Sequence, residues 1–134
     1  MIRKEYWEVL PAGSKIEKAD YCVGLDDFEG NLEINFVGVK NKNIKVIFDG
    51  EVNSYRKTIN KNRIKTIMGV QGAYLKTIQK HWAFYVHNSD YIEWVVEESD
   101  NELLCEGLRH YVFFSKEEII EVLSTIPPQF VVEL

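Results

Sequence analysis

The chain of 134 residues is 46% hydrophobic and 28% charged, with a formal net charge of −5, the balance of a soluble globular protein. A chain of this length suggests one domain, which buries about two thirds of its unfolded surface without a disulfide or metal staple. No run of about 18 apolar residues exists to span a membrane, and Arg3, Lys4, Glu5 and Glu8 interrupt the uncharged core that a signal peptide would need.

In chain order, "EYWEVL" (5–10) is expected as a first strand, ended by Pro11-Ala12-Gly13. Residues 13–31 show no clear period and read mostly as loop. "NLEINFVGV" (31–39) alternates, with Leu32, Ile34 and Phe36 on one side and Glu33 and Asn35 on the other. "KNKN" (40–43) is a polar turn and "IKVIFD" (44–49) the return strand. Asp49-Gly50 is a hairpin signal, because both positions tolerate positive φ, so "EVNSYRKTI" (51–59) is expected to complete a three-stranded meander. The basic stretch 60–80, interrupted by Gly69 and Gly72, fits either a short helix over 73–79 or a broad loop. "HWAFYVH" (81–87) predicts a strand with Trp82, Phe84 and Val86 facing the core. Asn88 and Ser89 offer N-cap oxygens to a helix within 89–102 whose apolar side is Tyr91, Ile92, Val95 and Val96. "LRHYVFFS" (108–115) is a strand. Ser115 and Glu118 form an S-x-x-E capping box, so a second helix is expected from there to about Thr125, with Ile119, Ile120, Leu123 and Ile126 facing the sheet. Pro127-Pro128 stops it, and "FVVEL" is β-rich. This order predicts one α+β domain over 1–134, an antiparallel sheet of about five or six strands with two or three helices packed on one face.

Charge is segregated along the chain. Residues 52–89 carry seven basic side chains and no acid, whereas residues 90–134 carry eleven acids against Arg109 and Lys116. The basic stretch "YRKTINKNRIK" (55–65) has the cations to track a phosphate backbone, but it holds one aromatic in an acidic protein. Solvated surface, or an internal counter-charge to the acidic C-terminal third, accounts for it better than a nucleic-acid partner does. Cys22 and Cys105 are far apart with no CxxC, which points to free thiols in a reduced cytoplasm.

Catalytic and metal chemistry lack their usual spacings. His81 and His87 are separated by about 20 Å along one strand, and HxxxH, HExxH, GxSxG, Walker and GxGxxG patterns are missing. His110 falls on the face shared by Leu108, Val112 and Phe114, the position of a hydrogen-bonded core histidine. Cys105 and His110 have no particular geometry for a nucleophile and its base. No catalytic, cofactor-binding or metal-binding residue is assigned. The distinctive surface is acidic: Asp90, Glu93 and Glu97 share a helix face, continued by Asp100, with no Lys or Arg to relieve them. Such like-charge pairs cost a few tenths of a kcal/mol each. Beyond keeping the chain soluble, these four carboxylates are candidates for docking a basic protein partner.

"HWAFYVHNSDYIEWVVEESDN" (81–101), "LRHYVFFSKEEIIEVLSTIPP" (108–128) and "VIFDGEVNSYRKT" (46–58) together resemble the compact immunity-type antitoxins encoded beside polymorphic bacterial toxins. The resemblance covers about half of the chain. It implies a cytosolic, non-catalytic bacterial protein that blocks a partner by occlusion, and it assigns no catalytic residue. The alternatives are a small subunit or ligand-binding regulator of a larger assembly and, after those, a small enzyme.

Overall fold

The computed structural model describes residues 5–13, 16, 19–63, 81–100 and 107–133. Burial alternates along "NLEINFVG" and "NIKVIF", so Leu32, Ile34, Phe36, Ile44, Val46 and Phe48 all point into one interior. These segments are β3 (Asn31–Gly38) and β4 (Asn43–Phe48), flanked by β2 (Ala19–Phe28) and β9 (Gln129–Glu133) in a sheet of order β2-β3-β4-β9. A second sheet joins β1 (Tyr6–Val9), β6 (Ala83–His87), β7 (Arg109–Phe114), β8 (Glu118–Ser124) and β5 (Val52–Ile59) in the order β1-β6-β7-β8-β5. Every pairing is antiparallel. The helix α1 (Asp90–Glu98) connects β6 to β7.

The expected α+β architecture is therefore corrected. Among the described residues nine strands form two sheets, and α1 is the one helix of seven or more residues. The helix expected from Ser115 is strand β8. S-x-x-E serves a two-residue hairpin turn as well as a helix start. The Ser115 hydroxyl accepts the Glu118 N–H (3.1 Å) and donates to the Glu118 carbonyl (3.2 Å), while the Ser115 N–H donates to the same carbonyl (2.9 Å). The β-branched run that follows favours a strand. Because β8 is buried on both faces, its near-continuous apolar run imitates one side of a helix.

Two further expectations change. Part of the stretch read as loop is the ten-residue β2, whose register against β3 shifts between Ala19 and Tyr21 and again between Cys22 and Gly24. Each irregularity resets which side chains point inward, and this erases the period. The turn after Asp49 does form, with Gly50 and Glu51 at positive φ. It does not close a meander, however. β5 leaves β4 and pairs with β8 in the other sheet. The helix considered over 73–79, Gly69, Gly72 and Cys105 lie outside the described residues.

The two sheets enclose a core in which Trp82 meets Phe36, Phe113 and Phe130 at centroid distances of 5.1, 5.9 and 5.8 Å. Trp82, Phe84 and Val86 are all buried, as the sequence predicts, but in two clusters. Trp82 belongs to the core between the sheets. Phe84 and Val86 lie on the opposite face with Val112, Ile119, Trp7 and Phe114. On that outer face α1 seats Tyr91, Ile92 and Val95 against Leu108 and Leu123. The strip left beside the helix holds the candidate site. No described helix is long and apolar enough to cross a membrane.

Candidate functional site

Along β8, Ile120 and Val122 point into the inter-sheet core, so the two-residue repeat sends Ile119, Glu121 and Leu123 to the outer face. A carboxylate is thereby placed between two apolar side chains, with Glu121 only 1% exposed. A lone buried carboxylate would be untenable. The neighbouring strands supply its partners. Arg56 of β5 is directly opposite Glu121 in the register, and on the other side Val112 of β7 is its pair. Arg56 donates from Nε to Oε2 (2.5 Å) and from Nη2 to Oε1 (3.1 Å). The turn Asn60–Asn62 after β5 brings Arg63 back to the same carboxylate, where Nη1 donates to Oε2 at 2.8 Å.

The fourth member comes from β7. His110 Nε2 lies 3.0 Å from Glu121 Oε1, and Nδ1 lies 2.7 Å from the Ser89 hydroxyl. A carboxylate only accepts, so the imidazole proton facing it sits on Nε2. In the neutral ring Nδ1 accepts from Ser89 Oγ, which itself accepts the Ile92 backbone N–H (3.1 Å) as the N-cap of α1. One hydrogen-bonded chain thus ties the start of the helix to the centre of the sheet. Burial alone would raise the Glu121 carboxyl, but hydrogen bonds from His110, Arg56 and Arg63 outweigh it and hold the group well below the usual carboxylate range. Arg56 also lies over the Tyr91 ring, 4.1 Å from its centroid, and the Tyr91 hydroxyl is 2.5 Å from Ser54 Oγ.

Above this network opens a cleft of about 270 Å³. Glu121 and His110 form its floor, Arg56 and Arg63 one side, and Trp7, Tyr91 and Trp94 contribute aromatic surface, with Glu5 and Asp90 completing the lining. Glu5 accepts the Asp90 N–H at 2.7 Å, which fixes its carboxylate at the first turn of α1. Trp94 is 57% exposed.

The four acids singled out in the sequence all sit on or just after α1. Asp90, Glu93, Glu97 and Asp100 are exposed, and none is in an ion pair among the described residues. Ser89 is the cap, as expected. Asp90 also reaches the cleft, whereas Glu93 borders a second depression beside His87 and Arg109. Part of the basic stretch proves to be internal counter-charge: Arg56 and Arg63 serve Glu121, and Lys57 pairs with Glu118 at 2.8 Å. His87 stacks on Tyr6 and meets Glu8 at 2.7 Å, away from the cleft. His110 is the buried, hydrogen-bonded histidine that its alternation predicts.

Sequence reasoning missed Glu121 and the exposed Trp94. The signal for Glu121 was an acid inside "EIIEVLS", which as a strand lies between two apolar neighbours and demands a cation. No protein-family model, curated protein or solved structure matches this chain.

Proposed function

We propose that the chain is a non-catalytic cytosolic binding protein of the immunity type, which blocks a basic protein partner by occlusion through the exposed face of α1. One observation carries this reading: Asp90, Glu93, Glu97 and Asp100 remain outside ion pairs among the described residues and surround an exposed tryptophan, Trp94. Unneutralised acids steer a cationic partner and raise the on-rate. An accessible tryptophan supplies the anchor that such interfaces concentrate their energy on. The state of Glu121 supports binding over catalysis, because a carboxylate held this far below neutrality is a poor general base. The half-open cleft favours a second reading, a ligand-binding regulator or subunit of a larger assembly.

The test is binding kinetics against the protein recovered from the source cell with a tagged copy of the chain. Substituting Asp90→Asn, Glu93→Gln and Glu97→Gln together is expected to leave the fold intact and slow association at low salt. The defect should shrink near 1 M salt, where the Debye length is about 3 Å. Trp94→Ala should speed dissociation by at least about tenfold. Unchanged on- and off-rates would remove α1 from the interface, and a recovered multi-subunit assembly would support the second reading.

A further inference from the structure

We propose that the cleft between β1 and the first turn of α1 is a socket for a single arginine side chain of the basic partner. The inference rests on the docking face proposed above for the identity of the partner, and on the cleft's own residues for the chemistry. Within the cleft, the Glu121 charge is taken up by Arg56 and Arg63. Glu5 also lies in the field of Arg56, and Asp90 is in no ion pair among the described residues; with the His110 ring neutral, three carboxylates oppose two guanidiniums and the lining is net negative. Beyond the rim, Glu93, Glu97 and Glu98 extend the same sign along the helix. An anionic ligand would meet that field unfavourably, and a cation favourably.

The wall chemistry narrows the cation to a guanidinium. Arg56 already shows the arrangement: its Cζ lies over the Tyr91 ring, 4.1 Å from the centroid, and two of its nitrogens donate to one carboxylate. Trp94 stands next along the same side of the helix, 6.3 Å from Tyr91 between centroids, and Asp90 is one turn before it. A second guanidinium placed against Trp94 with Glu5 and Asp90 as acceptors would repeat the pattern one step outward. A planar group with several N–H donors suits both an aromatic face and two carboxylates, whereas a compact, strongly hydrated ammonium suits them less well. The volume of about 270 Å³ admits one such side chain.

The probe is N-acetyl-arginine amide titrated into the full chain, with the citrulline analogue, similar in shape but uncharged, as control. The readout is the indole N–H resonances of Trp94 and Trp7. Arginine amide should give a saturable shift with a dissociation constant of order 1–10 mM, the range of a single weak contact, and citrulline should give none. Glu5→Gln with Asp90→Asn should weaken binding by about tenfold, as expected when both charged acceptors are lost, and Asp26→Asn, exposed on β2 of the other sheet, should leave it unchanged. Trp94→Ala, at a position 57% exposed, provides a second variant and should abolish the saturable shift of the remaining Trp7 indole. The socket is overturned by equal shifts from arginine and citrulline, by no saturation, or by indifference to both sets of substitutions. A failed socket with a persistent salt-dependent on-rate defect at α1 leaves the docking face standing. A working socket with no such defect overturns the docking face instead.

Discussion

Replacing Glu121 by glutamine removes one charge and almost no volume, so it isolates the electrostatic role of the buried carboxylate. Glu121 is 1% exposed, and three side chains donate to it. Stripping one partner from a buried ion pair costs about 3–5 kcal/mol, because the remaining charges lose their compensation. Here the Arg56 side chain is 44% exposed and Arg63 18% exposed. Water can solvate part of the orphaned charge, and the expected loss falls to about 2–4 kcal/mol. For a chain of this length that is a melting temperature lower by about 10 °C. The acid limb gives an independent readout. The Glu121 carboxyl is depressed in the folded state, so its contribution is fully present above the unfolded carboxylate value of about 4.3 and is lost as pH falls from there towards the folded value. Parent stability should therefore decline below about pH 4.3 more steeply than that of Glu121→Gln, by up to about 1.4 kcal/mol per pH unit. Urea melts of both proteins between neutral and acid pH measure this. A neutral-pH difference under about 0.5 kcal/mol, the scatter of ordinary surface changes, together with parallel acid limbs, would refute the assignment of Glu121 as the anchor of the network.

Two further substitutions test the frame that holds the site. Ser115→Ala should cost about 1 kcal/mol in a urea melt, since the hydroxyl both accepts from and donates to Glu118 at the β7–β8 turn; a cost near zero would mean that the backbone bond alone holds the hairpin. Gly13→Ala would place a Cβ 2.9 Å from the Ala83 Cβ and 3.4 Å from the Phe130 ring. Overpacking of this kind costs about 1–3 kcal/mol, and an unchanged denaturation midpoint would contradict the close approach of that turn to β6.

Where a segment obeys one period and meets one core, the sequence announces it. β3, β4, α1 and the Ser89 cap are of this kind, whereas β6 and β7, which bury residues on both faces, were legible from their aromatic and β-branched content. The losses have separate physical causes. Two register shifts break the alternation in β2, and burial on both faces hides the alternation in β8. The partner of β5 depends on a strand more than sixty residues later, a pairing that local pattern cannot specify. The site divides in the same way. His110 was legible because its own strand fixes its face, and the basic stretch was legible as counter-charge because the chain is so strongly segregated. Glu121 was not, since reading β8 as a helix left no reason to bury it.

The pairing of strands also accounts for where the surplus negative charge ends up. β5 carries its cations alongside β8, so Arg56, Lys57 and Arg63 are used on Glu118 and Glu121. Lys116 reaches Asp20, and Lys45 serves Glu33 and Glu133. The acids of α1 receive nothing comparable among the described residues. Asp90 and Glu93, in the first turn, at least complement the positive end of the helix dipole. Glu97 and Glu98 sit at the opposite end, where the last turn has no basic residue and where anions are unfavourable by about 0.3–1 kcal/mol each. The i,i+4 repulsion between Glu93 and Glu97 adds a few tenths more. The fold of α1 gains nothing from the last-turn pair, Glu97 and Glu98. Their stability cost is intelligible if the face they create is completed by cations from another molecule, and the exposed Trp94 on the same helix gives that molecule a place to anchor.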